Sequence, residues 1–116
     1  MLSNKNLVII GGSTGLGLSA AHAFIKNGAN VVIAGRNKKS IEEALLALGA
    51  KARAICADAT DADTSPRAIE LCQESFGSFD GLYHVAGGSG RKMGDGPLHE
   101  ITLEGWNKTL ELNLTS

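Results

Sequence analysis

The sequence is poor in the residues that announce a specialised scaffold. Its 116 residues include only two cysteines, two prolines, one tryptophan and one tyrosine. Cys56 and Cys72 make no disulfide framework. Neither they nor the scattered His22, His84 and His99 have metal-ligand spacing. Both thiols are expected to be reduced and packed in a core, which points to a cytoplasmic compartment. Neither sign of charge is in excess: Lys plus Arg number 11 and Asp plus Glu 12, for a net charge of -1. That balance gives no footprint for nucleic acid or for an anionic membrane. Long hydrophobic runs are missing too. Leu7-Val8-Ile9-Ile10 is typical, and it is far too short to span a bilayer. The polar start, Met1 to Asn6, leads directly into that run and does not read as a signal peptide.

What is present is a globular composition, 43% hydrophobic, in a length that suits one domain over residues 1–116. Glycine is plentiful, at 15 residues, and gathers in residues 11–17 and 87–96. Both stretches follow an apolar run. Residues 7–10, 31–34, 52–57 and 82–85 read as short buried strands. Between them lie helical patterns. Leu18 to Asn27 turns Ala21, Phe24 and Ile25 inward and stops at Gly28. Ser40 with Glu43 forms a capping box ahead of Ile41, Ala44, Leu45 and Leu48, and Gly49 ends that helix. Ser65-Pro66 opens a third helix carrying Ile69, Cys72 and Phe76. A fourth starts near Thr102, with Leu103, Trp106, Leu110 and Leu114 on one stripe.

Strands alternating with helices predict an α/β fold with a parallel sheet and right-handed crossovers. The expected architecture is a Rossmann-type doubly wound sheet of about four strands in the order 3-2-1-4, with helices on both faces and incomplete at its C-terminal end. The fourth strand would be an unblunted hydrophobic edge, and the last helix reaches Ser116 without a stop signal. Both features lead us to expect further polypeptide downstream.

Chemistry concentrates in the first strand-to-helix junction, Gly11-Gly12-Ser13-Thr14-Gly15-Leu16-Gly17. A phosphate needs bare backbone N–H groups and the positive end of a helix dipole, and side chains would block its approach. Gly11 suits the tight turn out of the strand, Gly15 the close approach to a pyrophosphate, and Gly17 the close packing of helix on sheet. No lysine follows the last glycine, so this is not a P-loop. An ordinary strand-to-helix turn would use similar residues, but the position at the first βα junction favours a dinucleotide. The ribose-reading residue lies roughly 20 positions further on. There the second strand ends Ala34-Gly35-Arg36-Asn37, with no carboxylate but an arginine able to grip a 2′-phosphate. NADP(H) is therefore favoured over NAD(H).

These residues, in this order, resemble the short-chain dehydrogenase/reductase family. The family opens T-G-x-x-x-G-x-G; here Ile10 replaces the threonine and Gly11, Gly15 and Gly17 match. Arg36 matches an NADP-type arginine, and Thr14 stands where a second 2′-phosphate contact often lies. Asp58-Ala59 resembles the pair that holds the adenine. Ala86-Gly87 matches the end of N-N-A-G, with His84-Val85 in place of the two asparagines. Asn113 matches the asparagine of the catalytic tetrad. The resemblance thus implies a cofactor site of Gly11, Ser13, Thr14, Gly15, Leu16, Gly17, Arg36, Asp58, Ala59, Ala86 and Gly87, with no metal. It implies hydride transfer between NADP(H) and a small-molecule carbonyl or alcohol, with tyrosine, lysine and serine completing the site. Those three have no counterpart here. The only tyrosine, Tyr83, has Gly87 four positions on, and it reads as a buried strand residue. Alone, the chain is expected to be inactive.

The family commonly dimerises through the helix that contains Trp106, and a homo-oligomer is expected here, although part of the apolar stripe would serve equally for packing on the sheet. Arg91 and Lys92, in the loop 87–97, would meet an anionic substrate or the cofactor phosphates, or simply stay solvated. A non-catalytic nucleotide-binding module, or a subunit that pairs with another chain, remains the alternative function. A methyltransferase-type binder fits Arg36, Ala86-Gly87 and Asn113 less well.

Overall fold

A computed structural model describes residues 1–87 and 102–115. The chain forms two compact units, Met1–Val85 and Ala86–Ser116.

The first unit is a parallel sheet of β1 (Asn6–Ile10), β2 (Asn30–Gly35), β3 (Ala52–Cys56) and β4 (Gly81–His84). Its order is β3-β2-β1-β4, as the alternation of strands and helices predicts. β1 runs in register with β2 from Asn6↔Asn30 to Ile10↔Ala34, and with β4 from Leu7↔Gly81 to Ile10↔His84. Three helices connect the strands: α1 (Gly15–Lys26), α2 (Lys38–Leu48) and α3 (Thr64–Phe76).

The central strands are buried on both faces. Val8, Ile9, Val31, Val32 and Ile33 are wholly inaccessible. Because side chains alternate along a strand, Ile9, Val31 and Ile33 share one face. There they form a cluster with Ala21 of α1, Ala44 and Leu48 of α2, and Ala52. Val8, Ile10, Val32 and Ala34 line the opposite face. Helix α3 packs across β1, β2 and β3 without touching α1 or α2, and buries Thr64, Ala68 and Cys72. It carries the chain from one edge of the sheet to the other, which makes the gap between β1 and β4 the topological switch point. At the opposite end of the strands, Asn6 is buried and fully engaged. Its amide donates to Ser78 Oγ (2.8 Å), its carbonyl oxygen accepts from Asn30 Nδ2 (2.9 Å), and its backbone N–H donates to Asp80 (2.8 Å).

Several sequence expectations shift. Helix α1 begins at Gly15 rather than Leu18, since the Leu18 N–H already donates to the Thr14 carbonyl at 3.2 Å. Helix α2 begins at Lys38, and its cap is Asn37, whose side chain accepts from the Ser40 N–H at 3.1 Å. Ser40 therefore lies inside the first turn and is not the start of a capping box. Asparagine caps at least as well as serine, and here it wins an earlier start. Cys56 is exposed, at the end of β3, while Cys72 is buried as expected. Tyr83 is not a buried strand residue: 45% of it is exposed. β4 is the edge strand of the described sheet. Tyr83 packs edge-on against Phe24 of α1, with ring centroids 6.3 Å apart.

In the second unit, Thr102 caps α4 (Leu103–Leu110), its hydroxyl accepting from the Gly105 N–H at 3.0 Å. The helix then widens into a π-helical turn, Glu111–Thr115. Leu103, Trp106, Leu110 and Leu114 are exposed. Arg91, Lys92 and the loop positions 88–97 lie outside the described residues, as does His99.

Candidate functional site

In a parallel sheet every strand exit lies on the same edge, so the segments after β1, β2 and β3 are neighbours by construction. Hydrogen bonds stitch them together. The N–H groups of Gly11 and Gly12 donate to the Ala34 carbonyl at 2.8 and 3.2 Å. The Ala57 N–H donates to the Gly35 carbonyl at 2.9 Å. The Cys56 thiol donates to the Arg36 carbonyl at 3.3 Å. The glycine loop, Arg36 and Asp58 thus share one rim of the first unit, which runs along the carboxyl ends of the strands.

The loop has the form a phosphate requires. Gly11 turns out of β1 with φ +91°. Gly15 has φ +55°, and a Cβ added there would meet nothing within 4 Å, so space is open in front of the helix. Gly17 is close packing: a Cβ there would run into the carbonyl oxygen of Gly11. Thr14, the N-cap of α1, makes no side-chain hydrogen bond to the helix, and the first turn holds no acidic residue. The positive end of α1 is therefore available to an external anion. Ser13 is half-buried, and Leu16 is exposed beside the open space.

At the β2 exit, Arg36 is exposed, and its guanidinium has no hydrogen bond or ion pair among the described residues. Lys38 and Lys39 follow in the first turn of α2, which holds no acid. At the β3 exit Asp58 is committed to an Asx turn. Its Oδ1 accepts from the Thr60 N–H (2.9 Å) and hydroxyl (2.8 Å). Its carbonyl accepts from the Asp61 N–H at 3.1 Å and from the Thr64 hydroxyl. Asp58 and Ala59 are both half-buried.

The structure thus brings Gly11, Ser13, Thr14, Gly15, Leu16, Gly17, Arg36, Asp58 and Ala59 to one rim. The remaining candidates belong to the second unit. Ala86, half-buried, and Gly87, exposed, lead out of β4. Asn113 is exposed in the π-helical turn, and its Nδ2 donates to the Thr109 carbonyl at 3.0 Å.

The structure adds residues that sequence reasoning passed over. A Cβ on Gly12 would sit 2.7 Å from Ile33 Cγ2, and one on Gly35 would sit 2.5 Å from Ser13 Oγ. Lys38 and Lys39 join Arg36 because the helix starts earlier than Ser40. Among the described residues no group of His, Cys, Asp and Glu could hold a metal ion, and no helix is long and apolar enough to cross a membrane. The open loop, the uncapped helix end and three cations without a carboxylate in either first turn suit the phosphates of a nicotinamide dinucleotide.

Comparison with known proteins agrees with this geometry. Residues 5–116 match the family model of short chain dehydrogenases. A 2,5-dichloro-2,5-cyclohexadiene-1,4-diol dehydrogenase from Sphingobium indicum is 36% identical over 99% of this chain, and 46% of that protein is covered. Serine 3-dehydrogenase from Agrobacterium fabrum is 28% identical over 94% of the chain and 43% of its own length. Among solved structures, a short-chain dehydrogenase/reductase from Mycobacterium ulcerans superposes with a TM-score of 0.85 at 30% identity, over 97% of this chain and 42% of that one. A 3-ketoacyl-(acyl-carrier-protein) reductase from Brucella melitensis, complexed with NADH, gives 0.85 at 27% identity, over 99% and 46%. The chain spans less than half the length of each of these relatives. With its family model matched almost end to end and its sheet in Rossmann order, the chain belongs to the short-chain dehydrogenase/reductase family of oxidoreductases.

Proposed function

We propose that these 116 residues are the cofactor-binding portion of an NADP(H)-dependent oxidoreductase that interconverts a small-molecule carbonyl and its alcohol. The observation that carries this reading is the rim itself: an open glycine turn at an uncapped helix end, stitched through Ala34 to the strand that presents Arg36. Gly15 and the first turn of α1 would take the pyrophosphate. Arg36 would take the 2′-phosphate, with Lys38 and Lys39 next to it in sequence and Thr14 on the neighbouring glycine loop. Asp58 and Ala59 would border the adenine. Ala86, Gly87 and Asn113 enter the proposal by family resemblance alone. When bound, the nicotinamide donates or accepts the hydride.

A proton donor must come from residues beyond these. The single tyrosine is on an edge strand with no lysine four positions on, so the 116-residue chain by itself is expected to be inactive. The exposed apolar stripe of α4 supports a homo-oligomer, and the two free thiols support a reducing, cytoplasmic setting.

The test is Arg36→Ala in the full-length protein, with NADPH and NADH titrated separately. A charge-assisted, bidentate contact is worth roughly 10- to 100-fold in affinity. NADPH binding should fall by that factor while NADH binding changes little. Equal losses for the two would refute the 2′-phosphate role.

A further inference from the structure

We infer that Gly35 is a positioning residue for the dinucleotide site: lacking a side chain, it lets Ser13 seat against the end of β2 and so fixes the spacing between the glycine loop and Arg36. This rests on reading the loop and Arg36 as two phosphate subsites.

Gly35 does not owe its place to backbone conformation, since it is not among the glycines with positive φ. It is the last residue of β2, where most side chains would be tolerated by the backbone. Close approach is what requires glycine. An added Cβ would lie 2.5 Å from Ser13 Oγ and 3.1 Å from Ser13 Cβ. Turning the hydroxyl away relieves the first contact and leaves the second, so Ser13 must retreat by a few tenths of an ångström. The next nearest atom, Ile41 Cγ1 at 3.5 Å, is in ordinary contact and need not move.

Gly35 is also tied down on its other side. Its carbonyl accepts from Ala57, and the next carbonyl, that of Arg36, accepts from Cys56. On the side of the loop, Gly11 and Gly12 are bonded to Ala34. The β2 exit is therefore held by β3 and cannot easily yield, and the strain of a methyl group falls on the loop. Ser13 immediately precedes Thr14 and Gly15, where a pyrophosphate would approach. The fit of one rigid ligand across two subsites depends on their spacing, and small misplacements are costly.

The experiment is a double-mutant cycle between G35A and S13G in the full-length protein, which isolates the pairwise term. NADPH affinity is measured by titration. Backbone amide exchange of the segment containing residues 11–18 is measured without cofactor. With Ser13 present, G35A should weaken NADPH binding roughly tenfold. In the S13G background the same change should cost less than about twofold. Amide exchange in the loop should quicken in G35A and return to the S13G level in the double variant. Equal costs in the two backgrounds, or an unchanged loop in G35A, would overturn the inference. If wild type bound neither NADPH nor NADH, the cofactor reading would fail. An exchange response relieved by S13G would still support the steric coupling.

Discussion

Gly15 and Gly17 stand two residues apart in one loop, yet the structure gives opposite reasons for them, and alanine substitution separates the two. At Gly15 the added methyl meets nothing within 4 Å, and the only structural penalty is the φ of +55°. A left-handed conformation costs an L-residue about 1–2 kcal/mol. The methyl would nevertheless stand in front of the helix end where a phosphate oxygen would come. At Gly17 the backbone is unstrained, but the methyl collides with the Gly11 carbonyl oxygen and lies 2.7 Å from its carbon and 2.9 Å from Gly12 Cα. All three atoms are main chain, so no rotamer relieves the clash and α1 must back away from the sheet. Overpacking ordinarily costs about 1–3 kcal/mol, and more when the backbone must move, so upwards of about 3 kcal/mol is expected. Domains have only about 5–15 kcal/mol in total. The assay pairs urea unfolding of the cofactor-free, full-length protein with NADPH titration. G15A should keep most of its stability and lose at least about tenfold in affinity, roughly 1.4 kcal/mol. G17A should lose stability first. If G15A bound NADPH like wild type, or destabilised the fold as much as G17A, the division of roles would be wrong.

Other consequences are as direct. Asn37→Ala removes the cap of α2 and should cost about 1 kcal/mol in urea unfolding, while Asn37→Asp should retain most of it. Cys56 should react with a thiol reagent in the native protein, and Cys72 only after denaturation, because one is exposed and the other buried. Burial pushes the Cys72 thiol above its ordinary range, and the Asp80 carboxylate adds to this. The unfolded thiol therefore ionises first as pH rises. Stability from the neutral thiol is intact below about pH 8.5 and declines above it. Cys72→Ala should flatten that alkaline decline, measured as the unfolding midpoint against pH. An unchanged slope would count against it.

The strand order was legible because it depends on alternation and handedness, which the sequence carries in full. The open helix end was legible too, since Gly11, Gly15 and Gly17 sit at fixed spacing after an apolar run. What escaped depends on contacts between distant residues. Gly12 and Gly35 are glycines because of Ile33 and Ser13, and neither partner is marked in a linear reading. Ser40-x-x-Glu43 mimics a capping box, and only the geometry shows that Asn37 has already capped the helix one turn earlier. Tyr83 and Cys56 have the local character of core residues. Their exposure follows from ending up on an edge strand and at a strand exit. The π-helical turn that holds Asn113 has no sequence signature at all.

The charges along the rim bear on what the rim is for. A helix gains from acidic residues in its first turn and loses a few tenths of a kcal/mol from cations there. Yet α1 and α2 lack acids in their first turns, and α2 opens on Lys38 and Lys39 directly after Arg36. The chain does not lack carboxylates to put there, with 12 Asp and Glu against 11 Lys and Arg. Placing cations at a positive helix end works against the fold's own stability unless a negative ligand shares the site. A phosphate bound between Arg36 and the start of α2 would turn that unfavourable arrangement into a favourable one. Stability gained on adding NADPH should then exceed that gained with NADH at equal saturation, and the excess should shrink with rising salt as these exposed charges are screened.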